Sequence, residues 1–440
     1  PPPPPPPPVG TLPTRLLQQA DLVYDCAYLF PNGPSSQDQP RAFDYGGDAL
    51  AWSDHGTLYV TDRYQNIAEL ALPACRTDGT VAGTNRMTFV QPLTDLSGGR
   101  MNPRRNEADI AAAGGNLDTA NVLAAQRNFL NPGDANGVQI GGILPWNGAL
   151  VVSAHTNYDA RGSTQFSHLK WTTQQLSAGT LLGPVRMVTP PGEPGRVGGY
   201  MGEIPGPWQA ALGGPAFTGQ CCISIISRSS EGPPFFVFHP DHIGVVNPVP
   251  TTALMEFPTF GGHGLNEKPG TIVNAWNSCT RIDATGACVA FTSSVWFNGS
   301  TWLGGAVFPR NTASFLVFMR QGTGDFCYAR GGLVDPQDGH GWCYDPTDVS
   351  RGNHAWPYRY QVEAFSAHDL LAVKTGTKLP WDMKPYAVWE LVIPGFPATL
   401  TSTHHLGGVA YDAATSRIAV VQVGREEWGQ PVLHIWKVTP

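Results

Sequence analysis

Gly46-Gly47-Asp48-Ala49-Leu50-Ala51-Trp52 leads, through a turn at His55-Gly56, into Thr57-Leu58-Tyr59-Val60. Short apolar runs bounded by glycine and turn residues read as antiparallel strands. The pattern returns as Gly141-Gly142-Ile143-Leu144-Pro145-Trp146, a turn at Asn147-Gly148, and Ala149-Leu150-Val151-Val152. It returns as Gly304-Gly305-Ala306-Val307-Phe308, a turn at Arg310-Asn311, and Ser314-Phe315-Leu316-Val317-Phe318. It returns again as Gly407-Gly408-Val409-Ala410-Tyr411, a turn over 413–416, and Arg417-Ile418-Ala419-Val420-Val421. A degenerate copy starts at Gly198-Gly199-Tyr200-Met201, with Cys222-Ile223-Ser224-Ile225-Ile226 expected as its second strand.

Room for further strands lies at 67–72, 87–91, 166–171, 185–188, 235–238, 254–257, 358–365 and 388–393. The last copy offers only 432–438, and its missing strand is available at the other end of the chain, in 22–29. Four-stranded sheets repeated radially, with both termini sharing one blade, define a β-propeller. The expected fold is therefore all-β: a single β-propeller of five four-stranded blades. The blades are expected at 46–92, 141–190, 198–257, 304–393, and 407–438 plus 22–29. Inserts are expected at 94–138, with a helix over 118–128, at 271–302 and at 319–356. If 271–302 makes a blade of its own the count is six, and the competing architecture is a β-sandwich. Paired glycines fit innermost strands, whose backbones crowd around an axis.

Composition agrees with this class. Charged residues are 14% of the 440, and 51 glycines with 41 prolines make up about a fifth of the chain. That is too turn-rich for a helical bundle, and the aromatic content is too high for disorder. The net charge is −7, without a basic run, which excludes nucleic acid as an expected partner. No run approaches the roughly 20 apolar residues of a membrane span. The chain starts without an initiating Met or a signal sequence, as expected of a processed, exported product.

Eight cysteines fit disulfides in an oxidising compartment, with localisation secreted or at the cell surface. Cys279 with Cys288, and Cys327 with Cys343, flank local loops. Among Cys26, Cys75, Cys221 and Cys222, pairing of Cys26 with Cys75 and a vicinal Cys221–Cys222 bridge is one option of three. Zinc is the competing reading, but there is no CxxC pair, so no metal is expected.

Residues 1–20 read as an arm. Pro1-Pro2-Pro3-Pro4-Pro5-Pro6-Pro7-Pro8 forms a stiff polyproline II rod that loses little entropy on docking. Docking onto another copy of the chain makes a filament or a ring; docking in cis and a plain spacer are the alternatives.

Gly219-Gln220-Cys221-Cys222-Ile223-Ser224-Ile225-Ile226-Ser227-Arg228, within 198–238, resembles a group of uncharacterised secreted bacterial β-propeller proteins. Arg320-Gln321-Gly322-Thr323-Gly324, Tyr344-Asp345-Pro346, Pro380-Trp381-Asp382 and Gly407-Gly408-Val409-Ala410-Tyr411-Asp412 share that likeness, which covers 20–440. The resemblance implies fold and export, not chemistry.

Two functional classes remain. The first is an extracellular structural or binding protein, self-assembling through Pro1 to Pro8, with other copies of itself as partner. The second is glycan-directed: a hydrolase with carboxylates at the channel mouth, or a monomeric glycan-binding propeller. Glycosidases need two placed carboxyls. Asp62, Glu203 and Glu426 are the candidates, chosen over Asp48, Asp159 and Glu363. Glu203, among glycine, proline and aromatics, is the expected acid with raised proton affinity. Trp52, Trp146 and Tyr158 are aromatic platforms for a sugar. His239 with His242, and His404 with His405, lack a ligand pattern. Asp335, Asp338, Asp345 and Asp348 offer at most a structural calcium; Asp-Pro turns explain them without one. Asn298-Gly299-Ser300 has a glycosylation pattern that also reads as a turn.

Overall fold

The second strand of each repeat is rich in apolar residues, and three of these strands are buried on both faces. Leu58–Thr61, Ala149–Thr156 and Ser314–Gly322 are buried along their whole length. A strand covered on one side only would alternate, so these strands need packed layers on both sides. In the computed structural model the described residues are 11–32, 43–76, 83–101, 106–128, 138–156, 159, 164–188, 194–223, 229–257, 296–332, 343–394, 404–424 and 430–439, with backbone alone at 279–282 and 288–291. They form an all-β molecule with a few short helices.

The first sheet orders Leu50–Trp52, Leu58–Thr61, Ile67–Ala71 and Thr88–Thr94. The second orders Val138–Trp146, Ala149–Thr156, His168–Trp171 and Leu181–Val185. The third runs Met201–Glu203, Ala216–Thr218, Phe235–Phe238 and Val249–Met255. The fourth runs Trp302–Val307, Ser314–Gly322, Tyr358–Ser366 and Ala387–Glu390. The fifth runs Leu406–Asp412, Arg417–Gln422, Val432–Val438 and Leu22–Leu29, so strands from the two ends of the chain pair. All these neighbours are antiparallel.

Hairpin turns join the first two strands where the sequence places them. Asn147 and Gly148 both have positive φ (48° and 75°), the two-residue turn that follows the strand twist. The first strands then meet one another. Leu50–Trp52 touches Leu406–Asp412 and Val138–Trp146; Met201–Glu203 touches Val138–Trp146 and Trp302–Val307; Trp302–Val307 touches Leu406–Asp412. Glycine permits these approaches. A Cβ on Gly141 would lie 2.5 Å from the Gly198 carbonyl oxygen, and one on Gly304 2.7 Å from that of Gly407.

Apolar layers fill the spaces between sheets. Leu58, Val60 and Leu70 pack with Val421, Leu433 and Ile435. Ile140, Ile143 and Val152 pack with Ala51, Tyr59 and Ile67. The largest layer, between the third and fourth sheets, joins Phe217, Phe235 and Phe315 to Trp208 and Leu370 from the helices Gly206–Leu212 and Ala367–Lys374. Truncating such a ring typically costs 3–5 kcal/mol.

Three expectations are corrected and one is extended. The second strand of the third sheet is Ala216–Thr218, not 222–226. Gly213 (φ 94°) ends the helix before it and lets the chain turn back early. Cys222–Ile223 instead pairs with Trp302–Leu303 of the fourth sheet, and 224–228 lie outside the described residues. The expected strand at 185–188 is split. Leu181–Val185 closes the second sheet, whereas Met187–Val188 pairs in parallel with Val249–Pro250 of the third. In the insert 94–138 the expected helix is Leu117–Ala125, capped by the Asn116 side chain, and a second helix, Glu107–Ala112, precedes it. Residues 11–18, placed in the arm, lie against the fourth sheet. Leu17 is fully buried, its N–H donates to Ser314 Oγ at 2.8 Å, and the Ala313 N–H donates to the Arg15 carbonyl. Three apolar side chains, Leu12, Leu16 and Leu17, supply the contact.

The insert 319–356 carries a small sheet of Cys327–Gly332, Cys343–Tyr344 and Arg351–His354. Asp345, fully buried, locks it to the fourth sheet. Its carboxylate accepts from Tyr358 Oη (2.6 Å), Thr347 Oγ1 (2.6 Å) and Thr347 N, and lies 3.0 Å from His354 Nδ1. Burial works against the charge on Asp345, but these donors outweigh it and hold the carboxyl below its usual range. Burial also opposes the charge on His354, and Asp345 outweighs it, raising the imidazole. Asp345 stabilises above the ordinary carboxylate value, and that contribution is lost as pH falls. His354 stabilises below about 6.5, and that contribution is lost as pH rises through its higher folded value. Asp345→Asn is expected to cost about 2–3 kcal/mol, most between about pH 4 and 6.5. Thermal melts of both proteins across that range check it; a constant gap between them at every pH refutes it.

Candidate functional site

The first strands of all five sheets end around one cavity of about 110 Å³. Its wall is apolar: Leu50, Ile143, Leu144, Met201, Phe217 and Val307 among others. Its rim carries the last residues of each strand and the turn residues that follow. These are Trp52 and Asp54, Pro145, Glu203 and Pro205, Phe308 and Arg310, and Tyr411 and Ala413. Each residue is placed by the same rule: the last residues of a sheet's first strand line the cavity, and the hairpin turn supplies the next ones. Asp54, Glu203 and Arg310 are solvent-exposed at the rim, while Trp52 and Tyr411 are half-buried. Trp52 Nε1 has no hydrogen-bond partner. Tyr411 Oη is 3.4 Å from the Arg310 N–H.

Burial on its inner side raises the proton affinity of Glu203, Arg310 lowers it, and Asp54 raises it further. The two carboxyls and the guanidinium therefore feel one another. A polar triad over an apolar floor, with an indole beside it, suits a ligand that has hydroxyls on its edge and C–H groups on its faces.

Of the sequence candidates, Glu203 lies here and Asp62 does not. Asp62 follows the second strand of the first sheet, where a Cβ on Gly46 would meet its Cα, at the opposite end of the inner strands. Its oxygens accept from the N–H groups of Tyr64 and Asn66 at 2.8 Å and from Asn66 Nδ2 at 2.7 Å, which shapes the hairpin. The chain therefore does not bring Asp62 and Glu203 together. Glu363 is fully buried in the fourth sheet, 3.2 Å from Gln361 Nε2. Asp159 accepts from the Thr164 N–H. Glu426, Tyr158, Asp335, Asp338 and Pro1 to Pro8 lie outside the described residues. Sequence reading passed over Asp54, Arg310 and Tyr411 as site residues. Aligning the repeats on their glycine pairs is the signal that finds them, because the end of each inner strand then falls at one mouth.

The other end of the inner strands is different. Asp48 meets His405 Nε2 at 3.3 Å, and the His405 ring lies 4.1 Å from Trp302. His239 and His242, by contrast, follow Phe235–Phe238 on the side of the Asn147 turn, where Asn147 Nδ2 reaches Asp241, and pair with each other with ring centroids 5.1 Å apart. Asn298 is buried and donates to the Gly322 carbonyl, which leaves its amide in a turn. Cys26–Cys75, Cys221–Cys222 and Cys327–Cys343 are bonded; Cys279 and Cys288 are described by backbone only. These disulfides are compatible with export, and among the described residues no helix is long and apolar enough to cross a membrane.

No protein-family model matches the chain, and no curated protein matches it. Three solved structures are similar in outline, each at 10% identity. A glycosyl hydrolase from Bacteroides ovatus aligns over 97% of this chain and 93% of its own, with a TM-score of 0.41. The PQQ-bound aldose sugar dehydrogenase of Streptomyces coelicolor aligns over 90% and 94%, at 0.35. A protein of unknown function from Dyadobacter fermentans aligns over 95% and 98%, at 0.34. At TM-scores below 0.5 none of these likenesses bears on the activity of this chain.

Proposed function

We propose that the chain is an exported five-bladed β-propeller that binds a saccharide at the turn end of its axis. The observation that carries this reading is the rim itself, where Trp52, Asp54, Glu203, Arg310 and Tyr411 converge from four of the five inner strands on one cavity. The successive contacts of the inner strands, and the pairing of Leu22–Leu29 with Val432–Val438, support the propeller. Trp52 lies against a sugar face, and the charged triad takes the hydroxyls. A hydrolytic version of the same site has one observation in its favour. Glu203 holds its proton more tightly than an ordinary glutamate, as a general acid must, with a second carboxyl within electrostatic reach.

A glycan array followed by calorimetry tests the binding. Trp52→Ala and Glu203→Gln are each expected to weaken the selected glycan at least ten-fold, about 1.4 kcal/mol. An array without hits, or a hit that both variants bind like the native protein, sinks the reading. Incubating the hit with native protein and with Glu203→Gln separates cleavage from binding. The proline run keeps its own reading as an assembly element, which light scattering with and without residues 1–8 decides.

A further inference from the structure

At the glycine end of the axis, three soft or borderline donors meet. The sulfurs of Cys221 and Cys222 and a ring nitrogen of His155 lie within 4.8 Å of one another. They come from separate parts of the chain. His155 is on Ala149–Thr156 of the second sheet, and Cys222 starts the short strand paired with Trp302–Leu303 of the fourth. His155, Cys221 and Cys222 are buried but not sealed, with 6%, 8% and 7% of their surface exposed. Space beneath Cys221 is kept by a glycine, since a Cβ on Gly141 would lie 3.2 Å from the Cys221 Cβ.

His155 is the unexplained member. Its Nδ1 is buried and has no hydrogen-bond partner, while the Gly198 backbone hydrogen-bonds the ring. An imidazole fixed through one side, with a bare lone pair on the other, is the usual form of a metal-bound histidine. Leaving such an acceptor empty in a protein interior costs about 1–3 kcal/mol. One nitrogen of this ring lies within 4.8 Å of both sulfurs, and the charge of Asp48 acts on the same ring.

We propose that Cys221, Cys222 and His155 are a redox-gated site for a thiophilic d10 cation, Zn(II) or Cu(I). This does not rest on the saccharide reading, which concerns the opposite mouth. In the structure the two cysteines are bonded to each other, and the site is closed to metal. A dithiol reductant supplies two electrons and two protons, breaks the S–S bond to give two thiols, and itself leaves as a cyclic disulfide. The cation then forms two metal–sulfur bonds and one metal–nitrogen bond, and the two thiol protons go to solvent. Thiolate and imidazole donors select these metals over hard cations.

The test uses the whole protein, reduced with a dithiol, freed of reductant without air, and titrated with Zn(II) and separately with Cu(I) against a chromophoric chelator. Asp25, Cys26 and Cys75 form a second such group, so a difference between variants is read rather than a total. Reduced native protein is expected to take up one equivalent more than Cys221→Ser/Cys222→Ser. His155→Ala is expected to keep both thiols and bind at least ten-fold more weakly. Uptake of Zn(II) but not Cu(I), or the reverse, identifies the cation. Equal uptake by native and double variant, or native affinity in His155→Ala, overturns the proposal. Should the double variant not fold, the oxidised native protein replaces it: equal uptake before and after reduction overturns the proposal as well.

Discussion

Gly199→Ala is expected to cost at least about 4 kcal/mol, the range reached only when a substitution breaks the packing itself. A Cβ at this position falls on the carbonyl carbon and oxygen of Gln220 and on the N–H of Cys221. These are backbone atoms, so no rotamer relieves the overlap. Gly199 also donates its N–H to the Gly219 carbonyl at 2.7 Å, which ties the two segments at this separation. Moving 219–221 away would break the hydrogen bonds by which the Gln220 side chain holds Ser230. Since a domain has some 5–15 kcal/mol in total, much of the folded population is at stake. Gly206→Ala is the control, because a Cβ there meets nothing within 4 Å. It opens the helix Gly206–Leu212, so alanine is neutral or slightly favourable. Denaturant melts of the three proteins decide the matter. A Gly199→Ala midpoint close to that of Gly206→Ala would mean that the Gly199 backbone is not packed against that of residues 220–221.

The second large effect has the opposite sign. Glu231→Gln is expected to stabilise the protein, and more so as pH rises. Glu231 is fully buried, and neither carboxyl oxygen has a hydrogen-bond partner. Burial pushes its pKa up to about 8, against the opposing pull of Arg196. Arg196 itself is paired with Glu256. A carboxyl whose folded value is raised stabilises fully below its unfolded value near 4.5. The contribution is lost between there and about 8, at about 1.4 kcal/mol per pH unit, or about 5 kcal/mol in all. Glutamine keeps the shape and removes the charge. The two proteins should therefore melt together near pH 4.5 and diverge up to about pH 8, with the variant higher by as much as 5 kcal/mol. Melting curves that stay parallel across that range would show that Glu231 has a partner for its charge.

Much of the architecture was legible because its signals are local. Gly-Gly before an apolar run, a turn pair such as Asn147-Gly148, and a second run buried on both faces each act within a dozen residues. They fix strand, turn and strand without reference to the rest of the chain. Edges were not legible. The β-rich segment from Cys222 could extend the third sheet or edge the fourth, and propensity is the same in both places. The helix Gly206–Leu212 and the early return at Gly213 decided for the fourth, which puts Cys222 over His155. The same limit applied to Met187–Val188, which left the second sheet for the third.

For the site, the sequence alone supplied the parts: Glu203 as a carboxyl among apolar neighbours, Trp52 as an aromatic platform, and cysteines in even number. Only the tertiary structure decided which parts meet. Glu203 shares a mouth with Asp54 and Arg310, which are 149 and 107 residues distant in the chain, and not with Asp62. The reason is geometric. Strand and turn follow from contacts between near neighbours. The grouping of side chains at one cavity depends on how far each sheet is rotated against the next, and that is set by the volumes of the layers between them.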